Sequence, residues 1–249
     1  MRTSTHLVFV CCLFLSACAG GPSSLKTPEV DYARAKAIVD DSKQKQPALA
    51  ILVEQQNGFE ADWREQLRKQ LVAGTPGSTD DISDAIVTSM ALFTVGGYLI
   101  KANNVRVDAF FQQQRILVAQ AQTDPRLCAL LLNTPSARQD SIGEAPWLLQ
   151  KPYSAQLPAL RQTISQLVLD AQGKQPRSLP PVEAERFMQR TASQMGARYG
   201  LQSLKDYESM LNANAGPSIR CKGLYALMET INLQALELRA QMVRQFFGD

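Results

Sequence analysis

Along nearly the whole chain, apolar residues recur at three- and four-residue steps, and no stretch alternates apolar with polar side chains. The first spacing gathers side chains on one face of an α-helix. The missing one would gather them on one face of a strand. A chain patterned this way hides its apolar stripes by packing helix against helix. The expected fold is therefore all-α: an irregular multi-helix bundle with one long C-terminal helix.

Tyr32, Ala35, Ile38 and Val39 begin the pattern, and Leu49, Leu52 and Val53 continue it. Pro47 lies between them, lacks an amide donor, and splits or kinks the run. Phe59, Trp63, Leu67 and Leu71 fall at four-residue intervals, with Glu60, Arg64, Glu65, Arg68 and Lys69 on the other face. Trp63 reads as buried and the arginines as solvated. Gly74 to Ser78 breaks the chain, and Thr79-Asp80-Asp81 has the polar, acidic character of a helix start. Ile86 to Ile100 is the most apolar part of the body, yet it is shorter than the ~20 apolar residues that span a bilayer. It reads as a central core helix, whose Gly96-Gly97 pair either admits a close neighbour or marks a kink.

Further helices are expected over 105–121, in a short turn carrying Cys128, and over 157–171, 182–199 and 201–211, with Gly200 between the last two. From 217 to 247, Cys221, Leu224, Met228, Ile231, Ala235, Leu238 and Met242 keep alternating three- and four-residue steps. That pattern fits one long helix burying a broad stripe, or a coiled-coil seam. The segment 133–158 holds Pro135, Pro146, Pro152 and Pro158 and reads as an irregular connection. It carries Trp147, Lys151 and Tyr153. Aromatics on a stiff, exposed loop anchor partners, so these three are the candidate partner-binding residues. The alternative is a tryptophan folded back to plug the core.

The first residues concern address. Leu7 to Leu15 is uninterruptedly apolar, after Arg2 and before Ser16, Ala17, Cys18, Ala19, Gly20 and Gly21. This is the layout of a secretory signal. Within it, Leu15-Ser16-Ala17-Cys18 resembles the lipobox of bacterial lipoproteins. The resemblance implies cleavage before Cys18, acylation of its thiol and, usually, of the new N-terminus. It covers the first 20 or so residues and implies nothing about the fold of the body. One acyl chain holds a membrane weakly, at ~0.8 kcal/mol per buried methylene, whereas two or three anchor stably. Ala19 stands where an aspartate would imply inner-membrane retention, so the resemblance implies an outer-membrane anchor facing the periplasm. In a host with one membrane the same anchor would face the exterior. The expected organisation is a signal peptide over 1–17, a lipidated cysteine and flexible tether over 18–30, and a single helical domain over 31–249.

Such processing would remove Cys11 and Cys12 and commit Cys18 to lipid, leaving Cys128 and Cys221. In an oxidising compartment these two allow one intramolecular disulfide. Two buried free thiols are the alternative. Processing would also remove His6, the only histidine. Without it, Ser-His-Asp and Cys-His catalysis and histidine zinc sites drop out. No P-loop, G-x-G-x-x-G or EF-hand pattern is present, so neither metal nor cofactor is expected. Tyr207-Glu208-Ser209 resembles the Glu-Ser pair of soluble lytic transglycosylases. The later Gly-Leu-Met-Gln-type segment of that family is missing, which leaves Glu208 a helix-surface residue. Ser23-Ser24-Leu25-Lys26 matches S-x-x-K, but it lies in the tether and lacks the companion S-D-N and K-T-G motifs.

The charge, 26 basic against 23 acidic residues, is too balanced for nucleic-acid binding. No catalytic residue is nominated. The leading expectation is a non-enzymatic binding, scaffold or immunity-type inhibitor protein of the cell envelope, with an envelope protein as partner. The alternatives are a cell-wall glycan enzyme working through a lone carboxylate, and a lipid- or small-ligand-binding pocket around 86–100. Oligomeric state is not encoded in any pattern found.

Overall fold

A computed structural model describes residues 28–124, 127, 128, 131, 147–177, 181–212 and 214–248. Cys18, the signal, most of the tether and the first prolines of the 133–158 connection lie outside the described residues. The described residues form ten α-helices and two short 3-10 turns, with no strand among them. The helices are α1 (Pro28–Lys45), α2 (Pro47–Gln55), α3 (Phe59–Ala73), α4 (Thr79–Leu92), α5 (Gly96–Leu99), α6 (Asn104–Ala121), α7 (Leu157–Ala171), α8 (Pro181–Leu211), α9 (Pro217–Asn232) and α10 (Leu236–Phe247). The 3-10 turns are Trp147–Leu149 and Tyr153–Gln156.

Helix starts follow local chemistry. Pro47 opens α2 at a position where its missing N–H costs nothing. Ser78 caps α4: its Oγ accepts from the Asp81 amide at 3.1 Å and donates to the Asp81 carboxylate at 2.6 Å. Asn103 caps α6 by accepting from the Arg106 amide at 3.0 Å. In α8 the backbone leaves helical geometry at Gly200, where φ is 79° and ψ is 179°. A side chain is strained at that φ, so glycine is what lets two helical stretches join there.

α4 is the centre of the molecule. Every residue from Ile82 to Leu92 except Asp84 is buried, so it is covered on all sides. α3 and α7 pack against it, α1 touches it, and the Trp147–Leu149 turn covers part of it. No described helix is long and apolar enough to cross a membrane. α6 packs on α7, α9 and α10, and α8 lies along α9 as a helical hairpin. Trp63 is fully buried between α3 and α4 and donates from Nε1 to Ser83 Oγ at 3.2 Å. Cys128 and Cys221 form a disulfide with Cα atoms 5.8 Å apart. It closes a loop of 93 residues and fastens α9 to the turn that follows α6.

The long C-terminal helix is corrected. The stripe from Cys221 to Met242 belongs to two helices, α9 and α10, with an extended Ala235 between them. Leu233 and Ala235 face solvent, and the buried face resumes at Ala240, Met242 and Val243. The break is stabilised by side chains that take up freed carbonyls. Gln234 Nε2 donates to Thr230 O at 3.1 Å, and Arg239 Nη1 donates to Asn232 O at 3.1 Å and Gln234 O at 2.8 Å. The turn redirects α10 onto α5 and α6, burial that a straight continuation would forgo.

Candidate functional site

Between the end of α4, α5, α6, α9 and α10 lies a partly open cavity of about 390 Å³. Its position follows from the break in the apolar run. α4 stops at Leu92, residues 93–95 turn, and α5 starts on Gly96-Gly97. A methyl group on Gly97 would meet nothing within 4 Å. Gly97 therefore marks no close helix crossing, and the helical run breaks just before the pair, across 93–95. Gly96 itself lines the cavity and contributes no side chain to fill it.

The walls are aromatic and aliphatic. Phe93, Phe110, Phe111, Phe246 and Phe247 supply rings, and the Phe246 and Phe247 centroids lie 6.4 Å apart. Among the described lining residues the one polar side chain is Gln114. The cations nearest in sequence are engaged elsewhere. Arg115 Nη1 binds Glu229 at 2.8 Å and its Nε donates to Gln112 at 3.1 Å. Arg244 is buried, with Nε donating to Leu99 O at 3.1 Å and Nη2 to Ala102 O at 2.7 Å and Asn104 Oδ1 at 2.8 Å. Burial, with the nearby charge of Arg177, lowers its pKa. The disulfide frames one edge: Cys128 and Cys221 each sit three residues before a lining residue, Leu131 and Leu224.

The residues nominated from sequence have other places. Tyr153 is buried and its hydroxyl donates to Asp124 Oδ2 at 2.6 Å. Asp124 Oδ1 in turn accepts from the Leu127 amide at 3.2 Å, so Tyr153 steadies the cap of the turn that carries Cys128. Burial and the Asp124 carboxylate push the Tyr153 pKa up. Trp147 packs on the core and meets Tyr153 edge-on at 5.6 Å. Lys151 is exposed. The three do not make one exposed patch, and the aromatics plug the core.

Among the described residues, the carboxylates whose pKa is displaced are all displaced downward. The Asp40 pKa is lowered to about 2, first by the Lys36 hydrogen bond. Glu65 is lowered by Arg68. At Asp170 burial opposes the charge, but Lys174 and the Asn103 amide outweigh it. A general acid at neutral pH requires the opposite shift. Glu208 is exposed. Asp31 is buried in the first turn of α1, within the field of Arg68. Among the described residues no three His, Cys, Asp or Glu side chains cluster as metal ligands.

The phenylalanines of α6 and α10 and Gln114 were not singled out by sequence pattern. The usable signal was a glycine pair inside the most apolar run. No family model, curated protein or solved structure matches the chain.

Proposed function

We propose that this is a lipid-anchored protein of the cell envelope, non-enzymatic, whose helical body binds a hydrophobic ligand in the cavity between α4, α5, α6, α9 and α10. The observation that carries the reading is the cavity itself. A volume of about 390 Å³ falls within the ~300–1,000 Å³ of small-molecule pockets. Sealed and empty, an apolar void of that size would cost about 9 kcal/mol at ~24 cal/mol per Å³. That rivals the ~5–15 kcal/mol that stabilises a whole domain. The cavity is open on one side, so the figure is an upper limit, but its direction favours an occupant. The Leu15–Cys18 pattern supports the anchor and an outer-membrane address facing the periplasm. A protein partner docked on the 147–153 loop is less well supported, because Tyr153 is buried.

One preparation tests both halves. The chain is isolated from envelopes in mild detergent and examined by native mass spectrometry and organic extraction. The expected result is an acylated N-terminal cysteine together with a non-covalent apolar ligand that a filled variant, Val118→Trp, does not retain. A Cys18 thiol without lipid would overturn the anchor. Ligand-free wild-type protein, or equal retention by the filled variant, would overturn the pocket.

A further inference from the structure

Resting on the pocket reading, we infer that the ligand is a single-chain acyl compound with an uncharged head, an ester or amide rather than a free fatty acid, and that Gln114 is the residue that reads the head. Three observations converge. The described lining is apolar apart from Gln114, which suits a hydrocarbon chain. No cation lies among those lining residues, and Arg115 and Arg244, on two of the helices that wall the cavity, are already committed to Glu229 and to backbone and amide oxygens. An ionised carboxylate entering here would lose water and find no counter-charge. Last, Gln114 is half-buried and its amide has no hydrogen-bond partner among the described residues. Elsewhere on α6, Gln112 pairs with Asn232 at 2.9 Å and Asp108 at 3.3 Å, and Arg106 with Gln166 at 2.5 Å. A free primary amide at the wall of an apolar cavity offers two N–H donors and one carbonyl acceptor. Those suit the carbonyl of an ester or amide and leave a carboxylate's charge unbalanced.

The test uses a photoreactive fatty acid and its methyl ester, a pair that differs in charge and by one methyl group, with a photoreactive hydrocarbon of equal length as control. Each is crosslinked to the full chain in detergent at neutral pH, and adducts are mapped to peptides of α6 and α9. The methyl ester is expected to label the pocket about tenfold or more above the acid, the ratio expected when a buried charged group goes unpaired. Excess unlabelled ester should compete. Gln114→Leu should lower ester labelling several-fold and leave the hydrocarbon unchanged, a split that loss of structure would not produce. Equal or stronger labelling by the free acid, or a Gln114→Leu chain that labels with ester like wild type, would overturn the inference while leaving the pocket reading intact. If no probe labels these peptides above the Val118→Trp background, and unlabelled ester fails to compete, both fall together.

Discussion

Trp63 is fully buried, and its indole N–H is spent on Ser83. Truncation to alanine removes the largest buried side chain of α3 and leaves that hydroxyl without its donor. Trp63→Ala is expected to lower unfolding free energy by about 3–5 kcal/mol, read from urea denaturation midpoints at unchanged slope. Residues of this kind were legible, since Phe59, Trp63 and Leu67 are all buried at the four-residue interval the sequence displays. Arg244 was not. Its value lies in Leu99 O, Ala102 O and Asn104 Oδ1, acceptors far away along the chain that no local pattern announces. Gln114 was illegible for a related reason: an amide on a polar helix face looks the same whether it meets water or a cavity. Tyr153 misled because its loop is rich in proline, yet its partner, Asp124, lies outside that loop.

Helices are held to one another by a small number of charged ties, and these set the element-scale behaviour. Arg239 grips the Asp108 carboxylate on α6 with Nε at 2.5 Å and Nη2 at 3.1 Å, while its Nη1 caps the end of α9. Arg239→Ala is expected to cost about 2 kcal/mol and to raise amide exchange at 230–236 ahead of the rest of the chain. Between α1 and α3, Lys36, Asp40, Lys43, Glu60 and Arg64 form a network, with Lys43 to Glu60 at 2.7 Å and Lys36 to Asp40 at 2.6 Å. The folded Asp40 pKa, about 2, lies below the ~3.9 of an unfolded aspartate. Its contribution is therefore complete above ~pH 4 and is lost as pH falls through 2. Partial solvent exposure keeps that contribution below ~1 kcal/mol. Asp40→Asn should flatten the stability profile between those limits, with its loss, below ~1 kcal/mol, present at neutral pH and vanishing as pH falls through 2, as thermal melts across that range would show. Most element boundaries were legible because prolines, glycines and capping side chains mark them locally. The α9–α10 break carries no such mark. It is made by Gln234 and by Arg239, the latter fixed from α6, so sequence periodicity runs straight through it.

At the scale of the molecule the disulfide decides how the α8–α9 hairpin is joined to the body. α8 packs mainly along α9, and α9 reaches the remainder through α6, α10 and the Cys128–Cys221 bridge. The class of fold was legible from apolar spacing alone, and the pairing from cysteine count. The cavity was legible only as a neighbourhood, because its far walls come from α6, α9 and α10. Closing 93 residues is worth ~4–5 kcal/mol in the chain-entropy account. The double variant Cys128→Ser, Cys221→Ser should lose up to that amount in denaturant titrations, and the loss should not be evenly spread. Local openings follow the weakest joints, and here the released joint is an edge of the cavity, since Leu131 and Leu224 each lie one turn from a half-cystine. Hydrogen exchange in the double variant should therefore rise first over 217–232 and last over 82–92, which is covered on all sides. A hydrophobic probe held in the cavity should dissociate faster by the same opening. Uniform acceleration of exchange across both segments, with probe release unchanged, would show that the bridge stabilises the chain globally and has no particular hold on the pocket.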